Sequence, residues 1–151
     1  MSPQDIESLF PNLRRGEYQF TSPEDYHYNC IAWAAGNNTM WWEPSGYRIH
    51  YWPPGVTPEY TLESYIRVYT IHGYRPCETA ELEPDYEKVA VYVDSLGIPS
   101  HAAKQKESGV WMSKLGEYED IEHDTLEALE GKEPAYGRVA QILKRLRQKP
   151  S

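Results

Sequence analysis

Among the side chains of this 151-residue sequence that could do chemistry, Cys30 has the most suggestive surroundings. It lies in "YHYNCIAWAAG", between a tyrosine-rich stretch and an apolar run closed by Gly36. If a helix begins at Asn29, the thiol meets the helix N-terminus, where unpaired N–H groups favour the thiolate. A thiolate needs an imidazole to share its proton, and His101, in the middle of a run that reads as a strand, is the best placed. That pair would perform acyl transfer, most simply amide hydrolysis through a thioester on Cys30, with the Cys30 N–H helping to hold the oxyanion. A third polar group should orient the imidazole. Ser113 can accept a hydrogen bond where Lys114 cannot, and Gln105 shares the face of His101 along the strand. Asp120 and His123, in "EDIEHD", could reach the site from the next connection, although that stretch also reads as a solvated acidic turn.

Blander readings stand beside this one. If Ser22 caps the helix, it runs over residues 23–35, and Tyr26, Cys30 and Trp33 form an ordinary core stripe around an inert buried thiol. His101 would then be a strand histidine satisfied by a neighbouring carbonyl. Cys30, Cys77, His101 and His123 are suitable zinc ligands by type, but they lack the paired CxxC or HExxH spacing of a zinc site. No glycine-rich phosphate loop and no G-x-S-x-G element is present, so no cofactor is expected.

The aromatic content is unusual: 13 Tyr and 5 Trp against 2 Phe. Rings with a polar handle suit ligand grooves as well as cores. Many of them fall in "NNTMWWEPSGYRIHYWPPGVTPEY", whose prolines and glycines mark a long ordered loop with a brief strand near residues 47–51. Trp41, Trp42, Tyr51 and Trp52 could wall a groove for a peptide or amide substrate. They could equally anchor a protein partner, or simply pin the loop to the core. The net charge of −8 argues against a nucleic-acid partner, since phosphate tracking needs clustered Lys and Arg. The basic "KRLRQK" near the end reads as a solvated tail. No signal peptide and no apolar run of membrane-spanning length is visible, so a cytoplasmic protein of one domain, residues 1–151, with no membrane partner is expected.

The elements that must position these residues follow from caps and periodicity. Ser2-Pro3 starts a short helix that ends near Phe10-Pro11. Thr61 caps a second helix whose Leu62, Tyr65, Ile66 and Tyr69 share a face, closed by Gly73. "EKVAVYVD", "PSHAAKQ" and "GVWMSKLG", separated by turn residues, predict a three-strand antiparallel meander. Asp124 with Glu127 predicts a short helix, and "YGRVAQILKRL" fits a closing strand better than a helix. Together these give an α+β domain with helices on one face of an antiparallel sheet.

Several stretches, "YNCIAWAAG", "WWEPSGY", "YWPPGVTPE", "GYRPC", "EKVAVYV", "SHAAKQ", "GVWMSKLG" and "DIEHD", resemble a family of small, functionally uncharacterised bacterial proteins over residues 10–147. More loosely, the chain is similar to the NlpC-type branch of the papain-like peptidases. That resemblance implies a papain-like fold, Cys30 as nucleophile, His101 as base and Ser113 in the third position. The chain departs from the NlpC pattern in having Asn29-Cys30-Ile31 for Asp-Cys-Ser and in placing "VAVYV" before His101 instead of after it.

Overall fold

The computed structural model describes residues 2–22, 28–37, 39–45, 50–115 and 119–147. Helix α1 (Pro3–Leu9) is fixed at its start by reciprocal bonds between Ser2 and Asp5, and a 3₁₀ turn (Pro11–Arg15) follows it. Strand β1 (Tyr18–Ser22) comes next, then the one-turn helix α2 (Cys30–Ala34). Two short strands, β2 (Trp41–Trp42) and β3 (His50–Tyr51), pair in parallel within the aromatic loop. Helix α3 (Leu62–Ile71) leads to β4 (Arg75–Cys77). The rest of the chain is β5 (Tyr86–Val93), β6 (Pro99–Gln105), β7 (Trp111–Lys114), β8 (Asp120–His123), a 3₁₀ turn (Leu126–Leu129) and β9 (Arg138–Leu146).

Among the described residues, seven strands form one sheet in the order β1-β8-β7-β6-β5-β9-β4, and every pairing in it is antiparallel. The architecture is therefore α+β, with a meander at its centre. The meander has four strands where three were predicted, because "DIEH" forms β8 and not a solvated turn. The expected closing strand is β9, which inserts between β5 and the short edge strand β4. The expected Asp124 cap is displaced by one residue: Thr125 Oγ1 accepts from the Ala128 N–H at 3.2 Å, and the turn it caps is 3₁₀.

Helical pieces cover both faces of the sheet, which corrects the one-face expectation. On one face α2, α3 and the aromatic loop place Ile31, Val68 and Tyr69 against Val89, Val91, Ala102 and Leu143. On the other, α1 and the two 3₁₀ turns place Ile6, Leu13, Leu126 and Leu129 against Ala90, Tyr92, Ala103 and Ile121. A strand buried on both sides needs a continuous apolar run instead of alternation, and "VAVYV" in β5 supplies one. Close packing at one end of this strand requires Gly137: a Cβ there would lie 2.0 Å from the Val93 carbonyl oxygen, and φ is +84°.

β6 and β7 pair only at Lys104 with Met112 and at Gln105 with Trp111. Among the described residues, Pro99 to Ala103 of β6 have no β7 partner, and α2 packs at this opening, with Cys30 and Ala102 in the same core cluster. Asn29 sets the start of α2. Its Oδ1 accepts from the Ala32 and Trp42 N–H groups at 3.2 and 3.1 Å, and its Nδ2 donates to the Trp42 carbonyl at 2.7 Å. One buried amide thus joins the helix start to the aromatic loop.

Candidate functional site

Cys30 is the first residue of α2, as the Asn29 start requires, and the alternative helix start at residue 23, with Tyr26, lies outside the described residues. The residue is 7% exposed and lies on the wall of a cleft of about 210 Å³. Burial pushes its thiol up to about 11. The N–H groups of Ala102, Ile31 and Cys30 and the nearby Lys114 charge act in the opposite direction, but they do not win. Five residues align too few peptide dipoles to offset the desolvation of an anion. At neutral pH the thiol is protonated.

His101 is fully buried on β6 but does not meet Cys30. Successive residues of a strand face opposite sides, and here Ala102 faces the Cys30 side while His101 and Ala103 face the other. The imidazole stacks on Tyr136, with ring centroids 4.1 Å apart and 2° between planes, and Tyr92 flanks it at 5.3 Å. Neither of its ring nitrogens has a hydrogen-bond partner among the described residues. Burial holds its pKa well below the usual histidine value, so the ring is neutral. The expected Cys30–His101 pair is therefore not assembled in this arrangement.

Ser113 and Gln105 do not orient His101. Gln105 Nε2 donates to the carbonyls of Ala80 and Gly109 at 3.0 and 3.4 Å. Ser113 Oγ lies 2.8 Å from His123 Nε2, and His123 Nδ1 lies 2.8 Å from the Thr125 carbonyl. A carbonyl only accepts, so Nδ1 carries the proton and Nε2 takes the Ser113 hydroxyl hydrogen. Burial lowers the His123 pKa to about 4, which keeps that tautomer neutral. This buried Ser–His pair was not anticipated. Its only sequence signal is the cross-strand spacing of "WMSK" and "DIEH", legible once β8 is known to be a strand.

The aromatic loop is divided. Trp42 is buried, with its ring 5.4 Å from Tyr51, and Trp52 packs on Tyr65 at 5.2 Å. These three residues pin the loop to the core. Trp41 alone of the four expected groove residues lines the Cys30 cleft, which it shares with Glu43, Tyr60, Tyr65, Ser100 and Tyr136. Glu43 is the charged residue of that wall. It accepts from Trp41 Nε1–H at 3.1 Å and from the Tyr60 hydroxyl at 2.7 Å.

Cys30 and Cys77 are both free thiols. Among the described residues, no three His, Cys, Asp or Glu side chains come together as a metal site, and no helix is long and apolar enough to cross a membrane. The zinc ligand set considered from sequence is thus not assembled.

Fold and site together define a small α+β protein with an antiparallel sheet and an aromatic cleft at the head of a cysteine-bearing helix. It belongs to the family described as a domain of unknown function, DUF7689, whose model matches residues 19–144. No curated protein and no solved structure matches the chain.

Proposed function

We propose that the chain is a binding module whose working site is the aromatic cleft at the head of α2, and that its ligand is a peptide segment of a protein partner. The observation that carries this reading is the composition of the wall: among the described residues, Trp41, Tyr60 and Tyr65 line one concave site with one carboxylate, Glu43. Aromatic rings around a few placed polar groups are the usual makeup of a recognition pocket. The loop acts through this cleft and not as a row of exposed anchors, since Trp42 is buried and Trp52 is packed on Tyr65. Titration of a short-peptide mixture, followed by the indole N–H signals in NMR, tests it. Ligands should shift the Trp41 signal, and Trp41→Ala with Tyr60→Ala should abolish binding while the circular dichroism spectrum stays unchanged. Ligands that bind the double variant undiminished would refute the reading.

A second reading, a cysteine hydrolase of the amidase or peptidase type, is favoured by the backbone N–H groups of Cys30, Ile31 and Ala102 around the Cys30 thiol. These donors would support an anion during acyl transfer. In it, Cys30 Sγ attacks the carbonyl, the amine leaves with the thiol proton, and water releases the acid from the thioester. The papain-like, NlpC-type resemblance belongs to this reading, and so does His101 as base. His101 would have to move from its stack on Tyr136 to serve. Incubation with activated esters and fluorogenic amides, followed by intact mass, tests it: an acyl adduct absent in Cys30→Ala supports the hydrolase, and turnover unchanged in that variant excludes it.

A further inference from the structure

We infer that the cleft selects a cationic side chain: its ligand is a peptide segment that inserts an ammonium or guanidinium group between the rings and Glu43. The inference rests on the cleft being the binding site and adds what it recognises. Among the described residues, Glu43 is the charged residue lining it, and the other ring-bearing walls come from Trp41, Tyr60, Tyr65 and Tyr136. Aromatic faces carry negative quadrupole potential and attract cations, most strongly where water is excluded. A carboxylate beside them adds a full charge of the same sign.

The way Glu43 is held strengthens the case. Its two hydrogen-bond donors among the described residues, the Trp41 indole and the Tyr60 hydroxyl, are neutral, so they fix the carboxylate without cancelling its charge. Both donors are themselves wall residues, which ties the ring positions to the carboxylate. Among the described residues the basic side chain beside Glu43 is His50, whose Nδ1 stands 3.9 Å away and lies closer, at 2.6 Å, to Ser45 Oγ. His50 stacks behind Trp41 at 6.2 Å and is not part of the cleft lining. Among the described residues the wall thus joins a carboxylate to aromatic rings and has no basic lining residue. A neutral aliphatic side chain would gain nothing from the Glu43 charge, whereas an anion would be repelled.

Isothermal titration of the full chain with N-acetyl-lysine methylamide, and with the same compound bearing methyl in place of ammonium, tests the inference. The lysine probe should bind at least tenfold more tightly, and Glu43→Gln should reduce that ratio to near one. Glutamine keeps an acceptor oxygen for the wall donors, and the Trp41 indole signal reports whether the wall is intact. As a second measure, the wild-type ratio should shrink as salt is raised from low to physiological strength. Equal binding of the two probes overturns the cation inference and leaves the cleft as a binding site. Binding of neither, or of both without any shift at Trp41, overturns both.

Discussion

Acid should destabilise this fold in a pH range where its carboxylates are still ionised, because two neutral histidines are sealed inside it. His123 titrates near 6.5 when unfolded and at about 4 in the folded chain. Between those values the unfolded state binds more protons, so stability is greatest above pH 6.5 and falls as pH drops towards 4. At 1.36 kcal/mol per tenfold, His123 alone removes about 2 kcal/mol by pH 5 and about 3.4 kcal/mol well below pH 4. His101, also lowered by burial, adds loss of the same sign. Carboxylates held low by hydrogen bonds, such as Glu7 and Glu122, lose their contribution only under more acidic conditions. Urea unfolding followed by tryptophan fluorescence at pH 7.5, 6, 5.5 and 5 measures the effect, with the His123→Gln variant alongside. The variant should start less stable at pH 7.5, because it disturbs the Ser113 and Thr125 bonds, yet show a shallower decline. A wild-type stability that is flat from pH 7.5 to 5, or a variant with the same slope, would refute the burial of a neutral imidazole at this position.

Other outcomes follow from the same contacts. His101→Leu should cost little at pH 7.5 in the same unfolding series: among the described residues no bonded partner is lost, and an unsatisfied buried polar group is removed. Glu87→Gln should destabilise by about 3–5 kcal/mol, since it leaves the buried Arg145, which bonds Glu87, without its counter-charge; thermal unfolding measures it. Tyr69→Phe should cost about 0.5–1.5 kcal/mol by removing the 3.0 Å hydroxyl bond to the Ile31 carbonyl, which keeps its 3.4 Å bond from the Ala35 N–H, read by urea midpoint. Iodoacetamide at pH 8 should label Cys77, which is half-buried, well before Cys30, so Cys77→Ser should remove the fast phase seen by mass spectrometry.

What could be read from the sequence was what depends on local chemistry. Asn29 as a cap, Thr61 as a cap and the glycine after α3 each act within a few residues, and each element starts or stops accordingly. The run "VAVYV" announced a strand because burial on both faces demands unbroken apolarity. β1 and β8 escaped because "YQFTS" exposes Gln19 and Thr21 and "DIEH" is polar at three of four positions, a composition that looks like loop until a partner strand is present. The site failed on parity. In a strand a shift of one residue exchanges the two faces, and β6 carries a register irregularity opposite Tyr92 and Val93. Sequence spacing placed a histidine on the right strand but could not say that Ala102, and not His101, faces Cys30. The aromatic wall of the cleft was partly visible in Trp41, whereas Glu43 and Tyr60 acquire meaning only when the loop packs beside α2.

The short edge strand β4 has a consequence for assembly. Its sequence is Arg75-Pro76-Cys77, and one side of it is occupied by β9. Pro76 has no N–H to offer a newcomer, and Arg75 sets a charged, exposed side chain beside it. Edges of this kind resist templated extension, because an incoming backbone finds a missing donor and must bury a cation. Growth of the sheet by recruitment of a foreign strand is thereby closed off on the β4 side, and fibril-like stacking through that edge is disfavoured from the outset.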